Sequence, residues 1–243
     1  MIPIRDDAPR FATPFITYLL IAVNVAVFLF ELTFPAVQRD QLMFTFGFIP
    51  LKITALLTGA HHVSIQGVLF PVTMQTALVP VFTSMFLHAS WLHLIANMLF
   101  LWIFGDNVED YLGHFYYLLL YLAAGVIGTS LHVMLNPTSA IPGVGASGAI
   151  AGIMGAYLIL YPSARVTTWV PFLFIFFVRL PAWLVLGYWF ILQFLSGTAT
   201  AIAVGSQPAG GVAVWAHVGG FIAGIALIKL FPQRPRRYHF VGW

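Results

Sequence analysis

Two short stretches of the chain carry side chains that together could perform acyl transfer. GVGASGAIAG (143–152) holds one serine, Ser147, among glycines and alanines. WAHVGGFIAG (215–224) holds one histidine, His217, in a similar setting. A serine becomes a nucleophile when an imidazole within hydrogen-bond distance takes its proton, so this pair could supply a nucleophile and a general base. The alternative is that Ser147 is a small residue where two membrane helices touch.

A second pair could stabilise negative charge in such a reaction. His93 and Asn97 are four residues apart, so on a helix they share one face. Two hydrogen-bond donors on one face can be aimed at a developing oxyanion. The alternative for both residues is an ordinary hydrogen bond between two membrane helices.

Other chemistries lack the residues they need. Residues 143–148 match G-x-G-x-x-G, but a dinucleotide site also needs a preceding strand and an acidic residue about 20 positions later. No Asp or Glu follows Asp110. Ala149 stands where a nucleophile elbow requires glycine. No H-E-x-x-H motif is present for a zinc protease, and the apolar stretches hold no facing carboxylates for an aspartyl mechanism. The sequence therefore offers no dinucleotide-binding, zinc-protease or aspartyl-protease motif.

The composition requires a lipid environment for these residues. Of 243 residues, 60% are hydrophobic and 7% are charged, whereas soluble domains have roughly 25% charged residues. There is no cysteine, which excludes disulfides and thiol catalysis. The net charge is +3 and no basic patch alternates with aromatic residues, so nucleic acid is not an expected partner. We predict a single membrane domain over residues 1–243, with the lipid bilayer as solvent.

The elements that must position the site are membrane helices, each needing about 20 apolar residues. The predicted fold is an all-α bundle of six transmembrane helices. Its spans are about 15–34, 82–104, 115–135, 143–160, 181–195 and 212–231. The mixed segment 35–80 is predicted to be a long external loop, and the aromatic stretch 169–177 is predicted to lie at the membrane interface.

Small residues predict how the fourth and sixth spans meet. Gly148 and Gly152 form a G-x-x-x-G pair on one, and Gly220 and Gly224 form another on the other. Such pairs let helix backbones touch, which would bring the serine and histidine within hydrogen-bond distance. Ser147 follows prolines and glycines, so we expect it at the start of its helix, where backbone amides favour negative charge.

The positive charges predict the orientation in the membrane. Lys and Arg favour the cytoplasmic side, and Arg5, Arg10, Arg165 and the arginines at 234, 236 and 237 would all lie on that side of the six spans. We therefore predict a multi-pass protein of the cell membrane, plasma or inner, with short cytoplasmic tails at both termini.

Together these stretches resemble the rhomboid family of intramembrane serine proteases, of the bacterial type. FTSMFLHASWLHLIANMLFLWIFGDNVED (82–110) carries the family's H-x-x-x-N, and GASGAIAG (145–152) carries its G-x-S-G. AHVGGFIAG (216–224) closely follows its A-H-x-x-G-x-x-x-G. The three motifs occur in the family's order on the second, fourth and sixth spans.

The resemblance implies a serine-type endopeptidase with a water-filled cavity open to the outside. Ser147 would be the nucleophile and His217 the general base. His93, Asn97 and the backbone amide of Ser147 would hold the oxyanion. The substrates would be single-span membrane proteins, cut within or beside their helix, and no cofactor is implied. A structural role is implied for His88.

The chain departs from the family pattern at two places. Many members have Trp-Arg in the external loop where this chain has Val79-Pro80. Some have an aromatic residue, packed on the catalytic histidine, where this chain has Ala151. A different residue must then position His217. Because the spans hold no carboxylate at depth, we hypothesise a Ser147–His217 dyad whose imidazole is held by packing alone.

Two other functions are weighed against proteolysis. One is a catalytically silent rhomboid-like protein that binds membrane clients; silent relatives usually lack the serine or the histidine, and this chain has both. The other is a transporter, which usually needs intramembrane carboxylates or paired broken helices, and the sequence shows neither.

Overall fold

The computed structural model describes residues 1–172, 174–202 and 213–232, and these residues form a mostly helical protein. The α-helices in chain order are α1 (Phe15–Glu31), α2 (Ala36–Phe46), α3 (Pro50–Leu57), α4 (Met74–Thr83), α5 (Trp91–Leu112), α6 (His114–Leu135), α7 (Ser147–Leu160), α8 (Ala182–Ile202) and α9 (Val214–Leu227). The strands are β1 (Ile2–Arg5), β2 (His62–Ile65), β3 (Val68–Pro71), β4 (Arg165–Phe172) and β5 (Phe174–Pro181).

Helix α7 lies at the centre of the bundle, between α5, α6 and α9. Ten consecutive residues of α7, from Gly148 to Tyr157, are buried. Six of those ten are glycine or alanine, and small side chains let neighbouring helices approach closely on every side. The helix that begins at Ser147 is therefore the most enclosed element of the site.

Among the described residues, three helices are long and apolar enough to cross a membrane: α5, α6 and α8 over Ala182–Ala199. The chain is a multi-pass membrane protein. The predicted first, fourth and sixth spans correspond to α1, α7 and α9, which are apolar helices of 17, 14 and 14 residues. A full crossing needs about 20 residues, so the count of six spans stays a prediction. Residue 212, the predicted start of the last span, lies outside the described residues.

The second predicted span is displaced along the chain. The helix begins at Trp91, not at residue 82, and continues to Leu112. Phe82 belongs to α4, a 3-10 turn follows over Ser84–Phe86, and the Ser90 hydroxyl accepts a hydrogen bond from the His93 amide at the start of α5. Apolar residues continue through this break, so hydropathy alone could not show it.

The prediction of an all-α fold is wrong at two places. Residues 35–80, predicted to be one long loop, contain α2, α3, α4 and the antiparallel β2–β3 hairpin. The aromatic stretch 169–177 lies in a second hairpin, where β4 pairs with β5 and also with β1. Aromatic and β-branched residues are abundant in this stretch, and these types favour strands.

Acidic residues at the end of α5 hold the N-terminal segment. Glu109 accepts hydrogen bonds from the backbone amides of Ile16 and Thr17, both at 2.8 Å, and a carboxylate at a helix N-terminus is favourable. Asp106 pairs with Arg10 at 3.1 Å. In the same N-terminal segment Asp6 bonds to the Tyr157 hydroxyl, and burial raises the pKa of the Asp6 carboxyl. These contacts lie at the end of the bundle opposite Ser147.

Candidate active site

Ser147 is the first residue of α7 and is reached through an unusual turn. Gly145 has φ +119°, a conformation that side chains strongly disfavour. A Cβ on Gly145 would lie 2.7 Å from His93 Nε2 and 3.7 Å from Ser147 Oγ. Glycine at this position therefore allows the His93 ring to lie beside the serine.

The crossing of α7 and α9 brings Ser147 to His217. A Cβ on Gly220 would lie 2.0 Å from the Gly148 carbonyl oxygen, and one on Gly224 would lie 1.8 Å from that of Gly152. The two backbones are thus in direct contact through glycine. His217 lies one turn before this contact, and its Nε2 is 2.6 Å from Ser147 Oγ.

A residue that the sequence analysis did not single out holds the other side of the imidazole. Gln193, on α8, has its Oε1 2.9 Å from His217 Nδ1. The Trp189 ring, one turn earlier, lies 5.9 Å from the His217 ring at an angle of 36°. The hypothesis that packing alone holds His217 is therefore wrong. The sequence signal for Gln193 is that of an amide within an apolar stretch, and no motif links it to His217.

His93 and Asn97 both lie in the first two turns of α5, toward the end of the bundle that holds Ser147. Asn97 is buried, and its Nδ2 donates to the His93 carbonyl oxygen at 2.9 Å. An amide nitrogen carries two protons, so the second can be donated to another acceptor. The His93 ring also packs edge-on against His88, with centroids 5.1 Å apart. The structure thus brings His93 beside Ser147, and Asn97 one turn further along.

The start of α7 can itself receive negative charge. Among the described residues no side chain caps this helix, and first-turn amides have no acceptor within a helix. A cavity of about 10 Å³ adjoins Ser147 and is lined in part by Ser84 and Thr129. That volume is close to the minimum that holds one water molecule.

In the described part of the chain, the His217 imidazole has no carboxylate partner. His217 has hydrogen bonds to Ser147 and Gln193 but to no Asp or Glu there. Within the same residues, no group of three or more His, Asp or Glu side chains could hold a metal ion. The arrangement can therefore move a proton between a serine and an imidazole, with the imidazole oriented by an amide.

Comparison with known proteins finds similarity over much of the chain. The Rhomboid domain family matches residues 75–234, which include all four predicted site residues. The chain is 34% identical over 161 residues to RHOMBOID-like protein 6, mitochondrial, of Arabidopsis thaliana, covering 66% of this chain and 45% of that protein. It is 29% identical over 237 residues to RHOMBOID-like protein 1 of the same plant, covering 93% and 56%.

A yeast protein is similar over a shorter stretch. Rhomboid protein 1, mitochondrial, of Saccharomyces cerevisiae is 29% identical over 154 residues, which cover 62% of this chain and 41% of that protein. The chain thus spans about half the length of the curated relatives it matches. These relatives are eukaryotic, so the predicted bacterial type stays a prediction.

Proposed function

The chain belongs to the rhomboid family, and from that premise we propose that it is an intramembrane serine endopeptidase. The observation that carries the proposal is the 2.6 Å contact between Ser147 Oγ and His217 Nε2, made at the start of a buried helix. A nucleophile and its base need contact within about 2.6–3.2 Å. Family membership adds the substrate class, which is transmembrane segments of single-span proteins.

In the proposed reaction Ser147 Oγ attacks the carbonyl carbon of the scissile peptide bond while His217 Nε2 takes the hydroxyl proton. As the new Oγ–C bond forms, the π electron pair of the carbonyl moves onto its oxygen, which becomes the oxyanion of a tetrahedral intermediate. Collapse breaks the C–N bond, and His217 returns the proton to the leaving amine. Water then attacks the Ser147 ester, again with His217 as base, and releases the acid product and free serine.

The oxyanion is stabilised by donors from two helices. The Ser147 amide lies at the start of α7, and the His93 ring lies beside the serine. The free proton of the Asn97 amide is the third donor. Donors aimed at the oxyanion are usually the largest single contribution to such catalysis.

We also propose the cell membrane as the location, with both termini cytoplasmic and the site end of the bundle outside. The two ends of α7 support this orientation. Ser147 begins the helix at the site end, and Arg165, in β4, follows the opposite end. Positive charge favours the cytoplasmic side.

The test is covalent labelling with a fluorophosphonate probe in detergent. Wild-type protein should label, while Ser147→Ala and His217→Ala should not. Ser130→Ala is the matched control, because Ser130 is an exposed serine of α6 whose hydroxyl donates to the Val126 carbonyl within its own helix. This variant should keep its label. Labelling of Ser147→Ala at the wild-type level would refute the assignment. Folded wild-type protein that neither labels nor cleaves would favour the silent, client-binding function.

A further inference from the structure

We propose that Gln193 is a positioning residue that fixes the tautomer of His217, an inference that rests on the proposed serine protease function. None of the three family motifs includes Gln193. It lies on α8, whereas His93, Ser147 and His217 lie on other helices. The contact is 2.9 Å between Gln193 Oε1 and His217 Nδ1.

The chemistry of the contact selects one protonation pattern. An amide oxygen can only accept a hydrogen bond, so Nδ1 of His217 must carry the proton and donate it. A neutral imidazole has one N–H, which leaves Nε2 with its lone pair. That lone pair faces Ser147 Oγ at 2.6 Å. The tautomer that Gln193 favours is therefore the one that can accept the serine proton.

Aromatic packing holds Gln193 in register with the imidazole. Trp189 and Gln193 are four residues apart on α8, and His217 and Phe221 are four apart on α9, so each pair shares a helix face. The Trp189 ring lies 6.0 Å from Phe221 and 5.9 Å from His217. This packing fixes the face of α8 that carries Gln193 against the face of α9 that carries His217.

An amide suits this environment better than a carboxylate. A charged residue at depth in a membrane is costly. The described carboxylates lie at the far end of the bundle, except Glu31 at the end of α1 and Asp40 in α2. The other ionisable side chains that act on His217 electrostatically are His93, on α5, and His132, on α6. Neither has a hydrogen bond to His217 in the described structure, so the orienting contact is with Gln193.

The tautomer can be measured without any reaction. Protein labelled with ¹⁵N-histidine in detergent gives Nδ1 and Nε2 signals for each imidazole, and His217→Asn identifies the His217 pair. We expect a protonated Nδ1 and an unprotonated Nε2 in wild type, and a shift of both signals toward a tautomer mixture in Gln193→Leu. Identical signals in wild type and Gln193→Leu would overturn the proposal. This result does not depend on whether Ser147 reacts.

The kinetic consequence is measured as the fluorophosphonate labelling rate against pH. Gln193→Leu should lower the rate about tenfold, the effect of losing one hydrogen bond. Gln193→Glu should restore most of the rate at high pH and move the acid limb upward by about one pH unit, because a nearby carboxylate stabilises imidazolium. Gln75→Leu, at an exposed position of α4, is the control and should match wild type.

The two experiments separate the two proposals. If wild-type protein fails to label while the tautomer shifts in Gln193→Leu, the protease assignment fails and the positioning contact stands. If wild type labels but Gln193→Leu keeps the wild-type rate and Gln193→Glu keeps the wild-type acid limb, Gln193 does not position His217. Thermal transitions of all variants show that each is folded, and Gln193→Glu supplies a test should Gln193→Leu unfold.

Discussion

Asn97 uses one amide proton within its own helix, because its Nδ2 donates to the His93 carbonyl oxygen. Asn24, on α1, makes the same kind of bond to the Leu20 carbonyl at 2.8 Å. Both asparagines are buried. Asn97 follows His93, the histidine beside Ser147, by one turn of α5. A local structural role would make the two residues equivalent, whereas an oxyanion role would not.

We therefore expect Asn97→Ala to lower kcat by about 10²–10³ with little change in KM, the effect of removing one oxyanion donor. Asn24→Ala should leave kcat unchanged, although it too loses a bond within its helix. The measurement is cleavage of a transmembrane substrate in detergent with both folded variants. An increase in KM alone for Asn97→Ala would instead indicate a role in substrate binding or packing.

The residues of the proposed site differ in how visible they are in the sequence. Ser147 and His217 stand out because each is a polar side chain among glycines and alanines. Gln193 does not stand out, because its hydrogen bond to His217 joins α8 to α9. No local sequence pattern predicts that these two side chains meet. Sequence could require a residue to orient His217, but only the packed helices identify which residue does so.

At the scale of elements, glycine sets the distance between the helices of the site. A Cβ on Gly220 would lie 2.0 Å from the Gly148 carbonyl oxygen. An alanine at this position must therefore push α9 away from α7. The same movement would lengthen the contact between Ser147 and His217. Gly187, on α8, has nothing within 4 Å of its Cβ position and provides a matched comparison.

Gly220→Ala should destabilise the protein by about 1–3 kcal/mol through overpacking and should abolish most fluorophosphonate labelling. Gly187→Ala should keep the label and be neutral or more stable, since alanine favours a helix by roughly 0.5–1 kcal/mol over glycine. Thermal transitions and labelling of the two variants side by side provide the measurement. Full labelling of a stable Gly220→Ala protein would show that the close crossing is not needed.

Element boundaries were harder to predict than element faces. The G-x-x-x-G spacing correctly indicated which faces of α7 and α9 meet, because small residues have few other uses on a buried helix. Hydropathy misplaced the start of α5 and missed both hairpins. In a chain that is 60% hydrophobic, apolar residues continue through turns and strands alike, so their presence does not distinguish a span from its surroundings.

At the scale of the whole molecule, the structure separates two ends. The β2–β3 hairpin packs near α3. Phe48, just before α3, forms a β-bridge with Gly143, which lies shortly before α7. The N-terminal strand β1 pairs with β4, which follows the other end of α7. Helix α7 is 14 residues long, or about 21 Å at 1.5 Å per residue. The hairpin therefore belongs to the site end and the three-stranded sheet to the opposite end.

The orientation of these two ends in the membrane can be measured with single cysteines. The chain has no cysteine, so Ser64→Cys in β2 and Ser163→Cys between α7 and β4 each introduce a single thiol at an exposed serine. In sealed right-side-out vesicles a membrane-impermeant maleimide should modify Ser64→Cys and should modify Ser163→Cys only after detergent is added. This follows from the excess of arginine at the sheet end, which favours the cytoplasm. Modification of Ser163→Cys alone in sealed vesicles would reverse the orientation and place the Ser147 end in the cytoplasm.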